Sequence, residues 1–120
     1  MIESKFKFKK IIVWQKAMDF GEAINAITEL FPKKEIYNLS SQIRRAADSI
    51  ALNISEGSTG QTNPEFKKFI GYAIRSLTEV ATCLHKASRR KYIPTESFDT
   101  LYEEAFNLMN MMVAFRKNIK

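Results

Sequence analysis

Few side chains in this sequence could do chemistry, and the single histidine limits what kind of catalysis is possible. His85 has Cys83 and Leu84 before it and Thr82, not an acid, three residues upstream. Di-metal sites in helical bundles are built from Glu-x-x-His pairs, which this spacing does not supply. Cys83 and His85 also lack the further Cys or His ligands of a tetrahedral zinc site. We therefore expect no metal and no cofactor.

Two other kinds of site fail on similar grounds. Nucleophilic catalysis needs a base beside the nucleophile, and His85 has no serine or acid at a suitable spacing. The segment Gly57-Ser-Thr-Gly60-Gln-Thr62 has the glycines of a phosphate-binding loop, but it lacks the lysine and follows a predicted helix instead of a strand. We interpret this segment as a turn and expect the protein not to be an enzyme.

Positive charge is the strongest chemical signal. Lysine and arginine number 19 against 13 acidic residues, which gives a net charge of +6. The excess is localised, because residues 1–10 hold four lysines and one acid and residues 61–91 hold seven basic and two acidic residues. Such a distribution favours an anionic partner, RNA or DNA in the first place.

Basic residues of the third predicted helix form a stripe. Lys68, Arg75 and Arg89 share one heptad position away from the apolar side, over a length of about 32 Å at 1.5 Å per residue. Such a stripe could follow several phosphates, although a solvated helix face is the alternative. The candidate nucleic-acid-binding residues are Lys67, Lys68, Arg75, Lys86, Arg89, Arg90, Lys91, Arg44 and Arg45. For Arg44 and Arg45, the sequence favours pairing across the bundle with Glu56 or Glu79 over contact with phosphate.

Four helices must position these residues. The four glycines and three prolines fall between segments whose apolar residues recur at steps of three and four. Short connections between the segments favour antiparallel neighbours. We predict an all-α fold, an antiparallel up-down-up-down four-helix bundle over residues 12–120, preceded by a basic N-terminal arm over residues 1–11. The apolar seams begin at Val13, Ile36, Phe66 and Phe98.

Polar residues mark the expected helix boundaries and one register position. Asn63 before Pro64 predicts the N-cap of the third helix, and Thr95 or Ser97 that of the fourth. Asn53 interrupts the apolar seam of the second helix. We predict that Asn53 is a buried polar residue whose hydrogen bonds fix the helix register.

The fourth helix carries more apolar surface than one seam needs. A small bundle uses one face of each helix, so a second stripe must meet a wider core, a docked segment or another subunit. The candidate oligomer-interface residues are Tyr102, Phe106, Met109 and Val113 on the fourth helix and Trp14 and Met18 on the first. Self-association is therefore one expected use of these residues.

Cysteine content and hydropathy bear on location. The one cysteine, Cys83, cannot form an intramolecular disulfide, and a reduced, packed thiol suits the cytosol. The longest uncharged apolar stretch, residues 105–115, is about half a membrane span. We expect a cytoplasmic protein with no membrane partner.

A longer motif resembles a known family. Gln42-Ile-Arg-Arg-Ala-Ala-Asp-Ser-Ile50, leading into Asn53-Ile-Ser-Glu-Gly57, is similar to the signature of bacterial 23S rRNA intervening-sequence proteins, also called the four helix bundle protein family. Further matches are Val13-Trp14-Gln-Lys-Ala17, Phe31-Pro32 and Ser76-Leu-Thr-Glu79, so the resemblance extends from about Val13 to Phe115. The sequence departs from the family's usual residues at Ser55, Thr59-Gly60-Gln61 and Arg75.

The resemblance implies an antiparallel four-helix bundle that assembles into a ring-like homopentamer. Family members are encoded in extra segments of 23S rRNA genes. A related branch comprises the accessory proteins of diversity-generating retroelements, whose expected role is to bind nucleic acid and a reverse transcriptase. The family supplies no catalytic residues.

Charge and resemblance together lead to one functional expectation. We expect a non-enzymatic, oligomeric nucleic-acid-binding protein that prefers RNA and has little sequence specificity. Phe6, Phe8 and Tyr92 are the aromatic residues available for stacking on bases. The alternative is a protein-interaction scaffold that binds an acidic partner, such as a reverse transcriptase or a ribosome-associated protein.

Overall fold

Helices occupy the segments that the apolar seams predict. The computed structural model describes residues 6–60 and 62–120. Its α-helices are α1 (Ile12–Ile27), α2 (Leu39–Ser58), α3 (Asn63–Arg89) and α4 (Thr95–Lys117), and no strand occurs within the described ranges. Contacts join α1 to α2, α2 to α3, α3 to α4 and α4 to α1. The fold is therefore an all-helical four-helix bundle, as the sequence predicted.

Pairs of residues far apart in sequence show that α3 and α4 run antiparallel. Across α3 and α4, the rings of Phe66 and Phe115 lie 5.7 Å apart, and those of His85 and Phe98 lie 5.1 Å apart. The connections at the two ends are short, as antiparallel neighbours require. The start of α3 consequently lies beside the end of α4.

The core consists of the predicted seams. Most seam residues are buried, because each helix turns one apolar stripe toward the others. The largest fully buried aliphatic side chains are Ile24, Leu39, Ile43, Ile50, Ile54, Ile70, Leu77, Leu84 and Met112. Ile36 is an exception, since α2 begins only at Leu39 and leaves Ile36 49% exposed in the preceding connection. The expectation that Ile36 opens the second seam is wrong.

Helix starts differ from expectation by one position. The N-cap of α3 is Thr62, not Asn63, and its Oγ1 accepts a hydrogen bond from the backbone N–H of Glu65 at 3.2 Å. At the start of α4 the N-cap position is Pro94, which has no polar side chain, so neither Thr95 nor Ser97 caps the helix. Adjacent polar residues compete for a cap, and sequence spacing does not choose between them.

Among the described residues, the polar contacts between α2 and α3 include a serine pair but not Asn53. The Nδ2 of half-buried Asn53 donates to the carbonyl oxygen of Ser49 in its own helix at 2.7 Å. The hydroxyls of Ser49 and Ser76 are hydrogen-bonded across the two helices at 2.5 Å. The register role expected of Asn53 therefore belongs to the Ser49–Ser76 pair.

Residues 6–11 lie against the bundle. Lys7–Lys10 forms a 3₁₀ turn that contacts α1 and α2, and the Nε2 of Gln15 donates to the carbonyl oxygen of Lys9 at 2.7 Å. The ring of Phe8 lies 4.9 Å from that of Trp14. The first five residues of the predicted arm lie outside the described part of the chain.

A buried carboxylate joins the α1–α2 connection to the α3–α4 connection. Glu35 is 5% exposed, and its Oε2 accepts from the Tyr92 hydroxyl at 2.6 Å and from Arg90 Nη1 at 3.1 Å. Its Oε1 accepts from Asn38 Nδ2 at 3.0 Å and from the Leu39 N–H, an otherwise unpaired donor at the start of α2, at 3.3 Å. We call Glu35, Asn38, Arg90 and Tyr92 the end cluster.

These contacts favour the ionised form of Glu35. The Tyr92 hydroxyl lowers the Glu35 pKa below its ordinary value of 4.5, burial opposes this effect, and the Leu39 N–H, Arg90 and Asn38 lower the pKa further. The hydrogen bond to Glu35 in turn raises the pKa of Tyr92. The end cluster therefore stabilises the fold through a negative charge.

Gly57 allows α2 to approach α3, and its replacement by alanine should destabilise the protein. A Cβ at Gly57 would lie 2.6 Å from the Cβ of Phe69 and 2.9 Å from Cδ1 of Phe66, so the helices would have to separate. We expect Gly57→Ala to lower the free energy of unfolding by about 1–3 kcal/mol in urea titrations followed by circular dichroism. In the control, Gly21→Ala, the nearest atom is 3.8 Å away. Equal losses in the two variants would contradict this account.

Glu35→Gln should lower the melting temperature in a pH-dependent manner. A carboxylate with a lowered folded-state pKa stabilises the fold fully above its unfolded pKa, near 4.5. That contribution disappears as the pH falls through the lower folded-state value. We expect the difference in melting temperature between wild type and Glu35→Gln to be large at pH 7 and to shrink below pH 4.5. Glu29→Gln, at an exposed site, is the control. A difference that does not vary with pH would exclude a role for the charge.

Candidate nucleic-acid interface

The nine basic residues proposed from the sequence fall into three groups in the structure. Lys67, Lys68 and Arg75 lie in the first half of α3. Lys86, Arg89, Arg90 and Lys91 lie at its end, and Arg44 and Arg45 lie on α2. Lys67 and Arg44 are half-buried, and the other seven are exposed.

The group at the end of α3 has neighbours that reduce its positive charge. Arg90 forms an ion pair with Glu35, and Lys91, at a φ of 62°, ends the helix through a bond from its N–H to the carbonyl oxygen of Ser88. The His85 ring contacts those of Phe98 and Tyr102, so the first half of α4 runs beside this part of α3. That half of α4 carries the acidic residues Glu96, Asp99, Glu103 and Glu104.

The arginines of α2 do not form the cross-bundle ion pairs that the sequence favoured. Arg44 Nε donates to the carbonyl oxygen of Ser40 in its own helix at 3.3 Å. Over residues 6–60 and 62–120, neither Arg44 nor Arg45 pairs with Glu56 or Glu79. The Oε2 of Glu79 instead accepts a hydrogen bond from Gln42 Nε2 at 3.4 Å.

The group in the first half of α3 belongs to a shallow depression between α3 and α4. Its volume is about 530 Å³. We call this surface the basic depression, and it is lined by Lys68, Gly71, Tyr72, Ile74, Arg75 and Arg116. No acidic residue lines it, and within the described chain Lys68, Arg75 and Arg116 have no ion-pair partner.

Arg116 and Tyr72 are the members that sequence reasoning missed. Arg116 comes from the last turn of α4, and its Nη1 lies 3.5 Å from the position that a Cβ on Gly71 would take. The signal that could have found Arg116 is the antiparallel order of α3 and α4, which brings the end of one helix to the start of the other. Tyr72 is 36% exposed and is not among the aromatic residues that the sequence suggests for stacking.

The aromatic residues that the sequence offered for stacking are differently placed. Tyr92 is half-buried and bonded to Glu35, and half-buried Phe8 lies against Trp14. Phe6 is exposed, with its ring 5.5 Å from that of Phe8. Tyr72 is the aromatic residue that lies within the basic depression.

Two apolar surfaces lie on opposite faces of the bundle. Phe106, which is 58% exposed, and Tyr102 and Met109 line a groove of about 200 Å³ between α3 and α4. Trp14 and Met18 line a groove of about 410 Å³ between α1 and α2. Val113, the sixth predicted interface residue, is half-buried on α4. The second apolar stripe of α4 is therefore partly exposed to solvent in the single chain.

The described residues were also compared with the requirements of a membrane span, a metal site and a reactive cysteine. None of the described helices is long and apolar enough to cross a membrane. In the same residues, no three side chains of His, Cys, Asp or Glu are grouped so as to hold a metal ion. Cys83 is buried, and burial raises the pKa of its thiol, which lowers its reactivity.

Comparison with known proteins agrees with the sequence motif and the fold. A solved protein of unknown function from the S23 ribosomal protein family of Bacteroides thetaiotaomicron superimposes with a TM-score of 0.79 at 22% identity, over 88% of this chain and 99% of that one. No functionally curated protein matches the chain. Residues 9–114 match the family described as 23S rRNA-intervening sequence protein. The chain belongs to this family of 23S rRNA-intervening sequence proteins.

Proposed function

We propose that this protein is a non-enzymatic, oligomeric nucleic-acid-binding protein that prefers RNA and has little sequence specificity. The observation that carries the proposal is the basic depression, where Lys68, Arg75 and Arg116 come together with no acidic residue in the lining. Cations that lack internal partners are available to phosphates, and phosphate contacts dominate nucleic-acid affinity. The buried, reduced Cys83 supports a cytoplasmic location.

The proposed specificity and RNA preference have separate supports. Contacts to phosphates position a nucleic acid without reading its sequence, so a site of lysines and arginines discriminates poorly between sequences. The proposed preference for RNA is an expectation from the setting of the family, described as 23S rRNA-intervening sequence proteins, and not from a contact in the basic depression.

Self-association is supported by the two apolar surfaces. A head-to-tail contact uses two different patches on each copy, and it closes into a ring when the rotation between copies allows. The α1/α2 groove and the α3/α4 groove are such a pair on opposite faces. We propose a ring-like homo-oligomer, with five copies as the family resemblance implies. A ring would repeat the basic depression and increase the combined affinity for one polyanion.

A protein-interaction scaffold is the second candidate. The connection between α1 and α2 exposes Leu30, Ile36 and Tyr37, the last 95% exposed, next to Lys33 and Lys34. Aromatic and apolar residues beside cations suit the core of a protein interface. An acidic partner, such as a reverse transcriptase like that of the retroelement systems, would fit this patch. Purified protein that is free of nucleic acid, by its absorbance ratio at 260 and 280 nm, would favour the scaffold.

Charge reversal in α3 should abolish most nucleic-acid binding. We expect wild-type protein to bind a labelled RNA in fluorescence anisotropy at 50 mM salt and to bind much more weakly at 200 mM. The double variant Lys68→Glu/Arg75→Glu should bind at least about tenfold more weakly. The matched control is Lys33→Glu/Lys34→Glu, the same charge change at the opposite end of the bundle. A wild-type protein that does not bind, or equal losses in the two variants, would contradict the proposal.

A charge in the α3/α4 apolar groove should reduce the size of the assembly. We expect Phe106→Glu to give particles of lower mass than wild type in multi-angle light scattering, because a carboxylate would be buried between copies. Tyr37→Glu, at a fully exposed site outside both grooves, is the control. If Phe106→Glu keeps the wild-type mass, or if wild type is a monomer, the groove is not an assembly surface.

A further inference from the structure

We infer that the basic depression is a binding site for single-stranded nucleic acid, in which Lys68, Arg75 and Arg116 hold backbone phosphates and Tyr72 stacks on a base. This inference rests on the proposed function and specifies the class of nucleic acid that the site takes.

Positive charge from three elements meets near the basic depression. The last turn of α4 brings Arg116 and Lys117 to the start of α3, which carries Lys67 and Lys68. The Nζ of Lys7, in the N-terminal 3₁₀ turn, lies 5.8 Å from the centre of the Phe66 ring, also at the start of α3. At the opposite end, by contrast, Arg90 is paired with Glu35 and α4 begins with acidic residues. The depression therefore collects cations from separate elements with no acidic residue in its lining.

The placement of Arg116 suits recognition of a phosphate. The guanidinium of half-buried Arg116 packs against α3, with Nη1 3.5 Å from the position that a Cβ on Gly71 would take. Partial burial reduces the screening of its charge by water, and its planar guanidinium can donate two parallel hydrogen bonds to a phosphate. Lys68 and Arg75 are seven residues apart, about 10 Å along α3. The three cations can therefore contact more than one phosphate of a strand.

Tyr72 favours a single strand over a duplex. Its ring packs edge to face on Phe69, with centroids 5.5 Å apart at 78°, and the side chain remains 36% exposed beside the cations. A base can stack on such a ring only when it is not already stacked and paired inside a duplex. Stacking on an aromatic ring tolerates any base, which agrees with weak sequence specificity.

The test compares nucleic acids and matched variants by fluorescence anisotropy at low salt. The probes are a labelled 12-nucleotide RNA, the same RNA in a duplex, and unlabelled tripolyphosphate as a competitor that has phosphates but no bases. We expect the single strand to bind at least about fivefold more tightly than the duplex, from the contribution of one stacked base. We also expect tripolyphosphate to compete, because the cations bind phosphate itself.

Two pairs of variants separate phosphate contacts from stacking. Arg116→Gln should bind the single strand about fivefold more weakly and with a smaller salt dependence, whereas Lys34→Gln, which removes a distant charge, should bind as wild type does. Tyr72→Leu should lose about fivefold for the single strand and nothing for tripolyphosphate. Tyr72→Phe keeps the ring and should bind as wild type does. Circular dichroism checks folding, and Lys68→Gln provides the same readout if Arg116→Gln does not fold.

The results distinguish failure of the site from failure of the proposed function. If wild type binds no nucleic acid, both proposals are wrong. If wild type binds RNA but the duplex binds as tightly as the single strand, or Arg116→Gln behaves like Lys34→Gln, the site is overturned while the proposed function stands. If Tyr72→Leu and Tyr72→Phe bind equally well, Tyr72 does not stack on a base and the assignment of a single strand is wrong.

Discussion

Close packing of α2 against α3 is the constraint on which the rest of the structure depends. At one end Gly57 lies against Phe66 and Phe69 with no room for a side chain, and midway Ser49 and Ser76 bond across the two helices. Gln42 and Glu79 make a third contact toward the other end. These contacts fix the sliding and rotation of α3, so they determine which of its residues face outward. The outward position of Lys68 and Arg75 follows from this interface.

The family signature has a physical explanation in the same interface. Gln42, Ser49 and Gly57 belong to the second-helix motif, while Ser76 and Glu79 belong to the shorter match in the third helix. These residues of the motif describe how two helices pack. The motif also contains the candidate cations Arg44 and Arg45, whereas the cations of the basic depression lie outside it.

Apolar periodicity predicted the helices and the core, because the residues that recur at helical spacing form the stripe that each helix buries against the others. It also predicted that Lys68 and Arg75 share an exposed face. Periodicity alone could not predict Arg116 in the same depression. The antiparallel order brings the end of α4 to the start of α3, but the contact itself depends on the register between the two helices. Nor could periodicity predict that Glu35, which lies in a connection, is buried and accepts hydrogen bonds from Arg90 and Tyr92, more than 50 residues away. Contacts between segments that are far apart in sequence therefore determine which of the predicted cations and aromatic rings remain available to a ligand.

The proposed binding and assembly surfaces are neighbours along one seam. The basic depression and the apolar groove that contains Phe106 both lie between α3 and α4, one after the other along the helices. If copies associate head to tail through this groove, the basic depressions repeat around the assembly beside each subunit boundary. A polyanion that contacts several of them would bind the assembly more tightly than the single chain, so it would favour the assembled state, and assembly would in turn raise the affinity for the polyanion, since linkage between two binding equilibria is reciprocal.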